Sequence, residues 1–193
     1  MEELRLNPHS ERADRRAEVK QLLKVDRNDL LVGITDLLQQ DVDRLGVLSL
    51  SASYRDVLLW SHYAAGHSGL CLKFLATDST LFFGRARRVE YLPEYPKVDL
   101  LRDSKEHRRK SFLLTKAADW CYEKEWRIFD TNGPGERLFP EELLVGVILG
   151  ALMSPEDKKY VVSLIGKRNF PVKIYQASVS KGSFSLDIEA YEP

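Results

Sequence analysis

The chain predicts an α+β fold, a mixed and mostly antiparallel sheet flanked by helices. Three observations carry this. Apolar residues recur at helical spacing through the first 45 residues and again in later segments. From Val47 onward, short apolar or alternating runs are bounded by glycine, proline and serine, as strands require. Helices come first, and the strands that follow are interleaved with two well-capped helices. The 193 residues suit a single domain, 1–193, with a sizeable core. Residues 1–46 are its helical amino-terminal segment and 47–193 its sheet-containing core.

Each element has a local reason. Residues 10–25 carry a sparse apolar stripe, Val19, Leu22 and Leu23, after a cap at Ser10. In residues 28–45, Leu31, Ile34, Leu37, Leu38, Val42 and Leu45 fall at helical spacing, and Gly46 closes the helix. "GVLSLSAS" alternates leucine with serine and reads as a strand entering a turn. "RDVLLWSHYAAG" is a helix ending near Gly66, and "GLCLKFL" is the next strand. "RARRVEYL" is a further strand, stopped by the two prolines of "PEYP".

"DSKEHRRKSFLLTKAADWCY" is the strongest helical segment. Asp103 is its expected cap, with Glu106 three residues on as a capping box requires. Leu113, Ala117 and Trp120 mark its apolar face. "KEWRIF" switches to strand character, and "TNGPGE" is a loop. "LLVGVILG" is a buried strand. "SPEDKKYVVSLIGKR" is a helix capped by Ser154, with Pro155 first and acids in the first turn. "FPVKIYQAS" and "SFSLDIEAY" close the chain as a hairpin through "SKGS". In the last strand Phe184, Leu186, Ile188 and Ala190 alternate with polar residues and should face the core.

Composition excludes several function classes. The 29 basic and 29 acidic side chains cancel, so no global basic field attracts nucleic acid non-specifically. Two cysteines, Cys71 and Cys121, make neither a disulfide framework nor a CxxC zinc site. No metal is expected, and a reduced cytoplasmic setting is. The charged amino terminus lacks the apolar core of a signal peptide. "LLVGVILGALM" is too short to span a membrane.

Four constellations can carry chemistry. In "WCYEKEWRIF", an extended backbone puts Glu123, Glu125 and Arg127 on one face, with Trp126 and Ile128 anchoring the other. Carboxylates held on a rigid strand can stabilise an oxocarbenium-like centre or bind ribose hydroxyls. Pairing of these acids with neighbouring Lys or Arg explains the same residues without chemistry. In "LLWSHYAAGHSGLCLKF", His62 and His67 lie five apart, the wrong spacing for two metal ligands on one helical face. Ser61 and His62 adjoin, which on a helix turns them in different directions. Trp60 suits the core, while His62 and Tyr63 carry the polar tips of binding residues. "SLSAS" offers hydroxyls either to a ligand or to a turn. Arg85, Arg87, Arg88 and the "EHRRKS" pair Arg108 and Arg109 are a solvated face unless they converge on phosphate.

Taken together, "LSLSASYRDVLLWSHYAAGHSGLCLKF", "VEYL", "KAADWCYEKEWRIF" and "LLVGVILG" resemble the bacterial domain-of-unknown-function family 2971, from Val47 to Gly150. A weaker likeness links the serine strand, helix, strand and Glu-x-Glu order to ADP-ribosyltransferases. That resemblance implies an ADP-ribosyltransferase-like fold and an NAD-consuming enzyme with a nucleic-acid or protein target, in phage or toxin conflict. It implies that Ser49 and Ser51 shape the NAD site, that Glu123 and Glu125 are the acidic pair, and that Glu125 is catalytic. His62, Tyr63 and Arg127 would line the same cleft. Members of the family begin with a Lys-Tyr strand, and none precedes Val47 here, although "RLNPHSERAD" resembles their Asn-Asp-Pro segment. The alternative expectation is therefore a non-catalytic nucleotide- or partner-binding module of the same fold.

Overall fold

The computed structural model describes residues 43–80, 82–99 and 102–192. The helices expected over 10–25 and 28–45 lie outside these, apart from residues 43–45. The chain divides into two compact units, Met1–Gly46 with Thr131–Pro134, and Val47–Asp130 with Gly135–Pro193. In the first, residues 131–134 form the expected turn, with Gly133 at φ 94°. The second carries the sheets and the site.

The fold is α+β, and its strands fall into three groups. β1 (Gly46–Ser51), β6 (Glu125–Asp130) and β3 (Arg87–Arg88) form one sheet in the order β1-β6-β3. β2 (Leu70–Phe74), β7 (Leu144–Leu149), β8 (Lys173–Val179) and β9 (Leu186–Ala190) form a second in that order. β4 (Glu90–Leu92) and β5 (Thr115–Ala117) make a short parallel ladder. β2–β7, β3–β6 and β8–β9 are antiparallel. β7 and β8 are parallel, and helix α3 (Pro155–Ile165) lies between them in sequence, as a parallel pair demands. The other helices are α1 (Val57–Tyr63) and α2 (Lys105–Leu113).

The buried strand "LLVGVILG" is the spine of the four-stranded sheet. One face of β7 packs Ile148 with Trp60, Ala177 and Leu186. The other packs Val147 and Leu149 with Met153 under α3. A separate aromatic cluster joins Phe83 to Ile128 and Leu143, with Phe74 stacked on Phe83 at 4.5 Å. Trp60 is core, as its position predicts, and its Nε1 donates to the Tyr54 carbonyl at 2.9 Å. α3 starts as expected: Ser154 accepts from the Asp157 N–H and Pro155 takes the first turn.

Several expectations need correction. The segment 103–122 is not one helix. α2 ends at Leu113, β5 follows, and a 3-10 turn covers Ala118–Glu123. Its cap is Ser104, which accepts from the His107 N–H at 3.1 Å, whereas Asp103 accepts from the Asp99 N–H. Pairing with β4 outweighs helix propensity here: Glu90 opposes Thr115 and Leu92 opposes Ala117. "RARRVEYL" is two strands. Its first part pairs with β6, and after the buried Val89 its second part pairs with β5, so the chain changes sheets within three residues. Phe184 does not face the core but stands fully exposed at the tip of the β8–β9 hairpin. Pairing in β9 begins at Leu186, two residues later than alternation suggests.

Candidate functional site

Five elements converge on one cleft of about 500 Å³. β1 brings Ser49 and Ser51, α1 brings Tyr63, and β5 brings Lys116. The 3-10 turn brings Glu123, and β6 brings Glu125 and Arg127. Leu59, Trp60, Ala64, Leu70 and Cys71 form the apolar part of the lining. An apolar wall with a few convergent polar groups is the usual form of a small-molecule site.

Local structure explains each placement. Asp56 caps α1 by accepting from the Leu58 N–H at 2.9 Å and the Leu59 N–H at 3.3 Å. Ala65, Gly66 and His67 then take positive φ, which turns the chain sharply from α1 toward β2. Glu123 and Glu125 do not share a strand. Glu123 ends the 3-10 turn, and Lys124 between them is left-handed, at φ 46° and ψ 48°. Ordinary extended alternation therefore does not align the two acids. A corner at Lys124 brings both to the cleft. Glu125 and Arg127 do lie on one face of β6, and Ile128 is buried behind them. Trp126 is a weaker anchor than expected, since over a third of it is exposed.

The carboxylates are 3% and 6% exposed, so each must be partnered. Tyr63 Oη donates to Glu123 Oε1 at 2.8 Å, and Lys116 Nζ donates to Glu123 Oε2. Lys116 Nζ also reaches Glu125 Oε2 at 3.4 Å. Arg127 grips Glu125 in a fork, Nε to Oε1 at 2.8 Å and Nη2 to Oε2 at 3.1 Å. Its Nη1 donates to the Leu113 carbonyl at 2.6 Å. The Ser49 hydroxyl also bonds Glu125, and Tyr91 Oη accepts the Glu125 N–H at 2.8 Å. The four charges cancel in pairs.

Proton affinities follow from these contacts. Burial pushes the Glu125 carboxyl up, but the bonds from Arg127 and Ser49 and the charges of Arg127 and Lys116 outweigh it, so it titrates below the usual value. Burial would lower Lys116, yet its bonds and charge attraction to both glutamates raise it. The bond to Glu123, with burial and the carboxylate charge, raises Tyr63. At neutral pH the cleft therefore holds a charged carboxylate at Glu125, an ammonium and an un-ionised phenol. Burial also pushes up the Cys71 thiol, which suits a wall rather than a nucleophile.

The other candidates divide. Ser51 lines the cleft, but its hydroxyl serves the backbone, donating to the Glu123 carbonyl at 2.6 Å and accepting from the Ser53 N–H at 2.9 Å. It thus fixes the turn that presents Glu123. His62 does not line the cleft. Its ring is exposed and lies 6.1 Å from those of Tyr63 and Trp120. Ser61 pairs with His67 at 3.0 Å rather than with His62. Arg85, Arg87, Arg88, Arg108 and Arg109 are absent from the cleft lining, so the phosphate-clamp arrangement is not formed. Among the described residues no group of three or more His, Cys, Asp or Glu is placed to hold a metal. No helix among them is long and apolar enough to cross a membrane.

Lys116 is the site residue that residue-by-residue reasoning missed. It reads as an ordinary helical lysine until the helix is seen to end at Leu113. Its signal was its place at the head of "KAADWCYEKEWRIF". A second cleft of about 570 Å³ adjoins the first, sharing Ser49–Ser51, Ser53, Tyr54 and Cys71 and continuing along β2 to Phe74 and Thr77. In comparisons with known proteins, no family model, curated protein or solved structure matches this chain.

Proposed function

We propose that the chain is a member of the bacterial domain-of-unknown-function family 2971 and acts as an ADP-ribosyltransferase-like enzyme. NAD is the substrate, and the acceptor is a group on a nucleic acid or protein. The observation that carries this reading is the buried pair Glu123 and Glu125, held in a cleft beside the serine-bearing strand.

The chemistry asked of the site is modest. The bond between ribose C1′ and the nicotinamide nitrogen breaks, and its electron pair leaves with nicotinamide. The ribosyl C1′ becomes cationic and is captured by a nucleophilic atom of the acceptor, which gives its proton to water. Glu125, kept ionised by Arg127 and Ser49, stabilises that cation in a partly dry cleft. Glu123, oriented by Tyr63 and Lys116, accepts from a ribose hydroxyl. Each Glu123 oxygen accepts one of these bonds and has a second lone pair, so a ribose hydroxyl can be added there.

The test is NAD consumption and label transfer by the pure protein with cell lysate. Wild type should transfer label and Glu125→Gln should lose at least about a hundred-fold, the scale of removing one electrostatic stabiliser. No transfer by wild type, or equal transfer by Glu125→Gln, overturns the reading.

A second reading has its own observation. Glu125 is already gripped by Arg127 through both oxygens, as a structural or purely binding carboxylate would be. On that reading the protein is a non-catalytic nucleotide-binding module. A thermal shift with NAD or ADP-ribose, without turnover, selects it.

A further inference from the structure

From Tyr63, on the cleft lining, a run of four ring-bearing side chains extends outward through successive ring contacts. Tyr63 and His62 meet edge to face at 6.1 Å, His62 and Trp120 are 6.1 Å apart, and Trp120 and Tyr122 are 6.0 Å apart. Tyr63 is 66% and Trp120 37% exposed. Of the tyrosine and tryptophan rings in this run, Tyr63 is the most exposed to solvent.

The run is also fixed. Tyr63 is anchored at its tip by the buried Glu123 and braced at its edge by His62. Lys116 Nζ sits 4.8 Å over the Trp120 ring while bonding both glutamates. Two residues of the polar cluster, Tyr63 and Lys116, thus tie the run to the cleft. A ring that is two-thirds exposed and cannot swing away is pre-organised for stacking, because little side-chain freedom is lost when a ligand arrives.

We infer that the exposed Tyr63 ring, braced by His62, is a stacking platform for a nucleobase whose ribose reaches Glu123 and Glu125. This rests on the sugar-binding reading of the cleft and adds to it the part of the ligand that lies outside. A base is the occupant that fits. It is planar, it stacks on aromatic faces, and it is joined to the kind of hydroxyl-rich ring that buried carboxylates bind. Tyr63 itself spans the two halves, with its ring on the ledge and its hydroxyl on Glu123.

Calorimetric titration of the full chain with AMP, ribose 5-phosphate and a short single-stranded oligoadenylate tests this. AMP should bind about ten-fold tighter than ribose 5-phosphate, in line with stacking on one ring. Tyr63→Ala should abolish that preference, while Tyr63→Phe, which loses the hydroxyl on Glu123 but keeps the ring, should retain it. If Tyr63→Ala does not fold, His62→Ala removes the brace without touching the anchor, and the preference must fall there too. Tighter binding of oligoadenylate than of AMP assigns the base to a strand, and the reverse assigns it to a free nucleotide. Equal affinity for AMP and ribose 5-phosphate, or a preference that survives Tyr63→Ala, overturns the inference. If ribose 5-phosphate still binds and Glu125→Gln abolishes it, the sugar reading stands alone. If wild type binds neither, both fall.

Discussion

Arg127→Leu is the sharpest probe of the cluster. Arg127 gives Glu125 two hydrogen bonds and a compensating charge, and gives the Leu113 carbonyl a third bond. Its removal leaves a carboxylate that is 6% exposed, with Ser49 and a lysine at 3.4 Å as its remaining side-chain partners. Breaking a buried pair from one side costs roughly 3–5 kcal/mol. Arg127 is partly solvated, with a fifth of its side chain exposed, so we take the lower end, about 3 kcal/mol near pH 7.5. That corresponds to about 6–12 °C in a domain of this size.

The pH dependence is the discriminating part. In wild type the Glu125 carboxyl titrates below its usual 4.5. Its contribution to stability is therefore present above the unfolded value and is lost as pH falls through the folded value. Without Arg127, burial dominates and the folded value rises. The penalty should then shrink as acid protonates Glu125, toward about 1 kcal/mol near pH 4 for the orphaned Leu113 carbonyl. Urea unfolding of both proteins at pH 7.5 and pH 4 measures it. Arg127→Leu combined with Glu125→Gln should be more stable at pH 7.5 than Arg127→Leu alone. A penalty below about 1 kcal/mol at pH 7.5, or one that does not change with pH, would refute the view that Arg127 holds a charged Glu125 in place.

Other expectations concern the frame around the site. Gly150→Ala should destabilise severely in thermal melts, because the new methyl group overlaps the carbonyl oxygens of His67 and Gly69, whereas Gly182→Ala meets nothing within 4 Å and should be close to neutral. Ile148→Ala, at a side chain fully out of solvent, should cost about 2–5 kcal/mol in urea unfolding. Ser104→Ala should cost about 1 kcal/mol as the true cap of α2, and a neutral result would restore Asp103 to that role.

The order of elements from Val47 to the end was largely legible because most strands announce themselves by apolar runs and the helices by caps. "LLVGVILG" could only be a buried strand, and Ser154-Pro155 could only begin a helix. The long helix over 103–122 was misread because helix propensity is local. Thr115–Ala117 is strand only because Glu90–Leu92 lies beside it, and no property of "LTKAAD" reveals that neighbour. Lys116 was missed for the same reason. Glu123, Glu125 and Arg127 were found by chemical type, yet their geometry was assigned by strand alternation. Nothing in "YEKEW" signals that Lys124 is left-handed. Ser51 shows the converse, since a serine suited by sequence to a ligand spends its hydroxyl on the backbone.

That left-handed corner places an unusual restriction on an exposed position. Lys124 needs neither burial nor charge to do what it does. Its backbone supplies the corner by which Glu123 enters the cleft. Glycine and asparagine should be accepted there readily, since both visit this conformation at little cost. Valine, isoleucine and proline should be rejected, the first two by crowding at Cβ and the last by a ring that fixes φ near −65°. Randomising that one codon and selecting for stable protein should therefore return a narrow alphabet defined by torsion angle rather than by polarity or size.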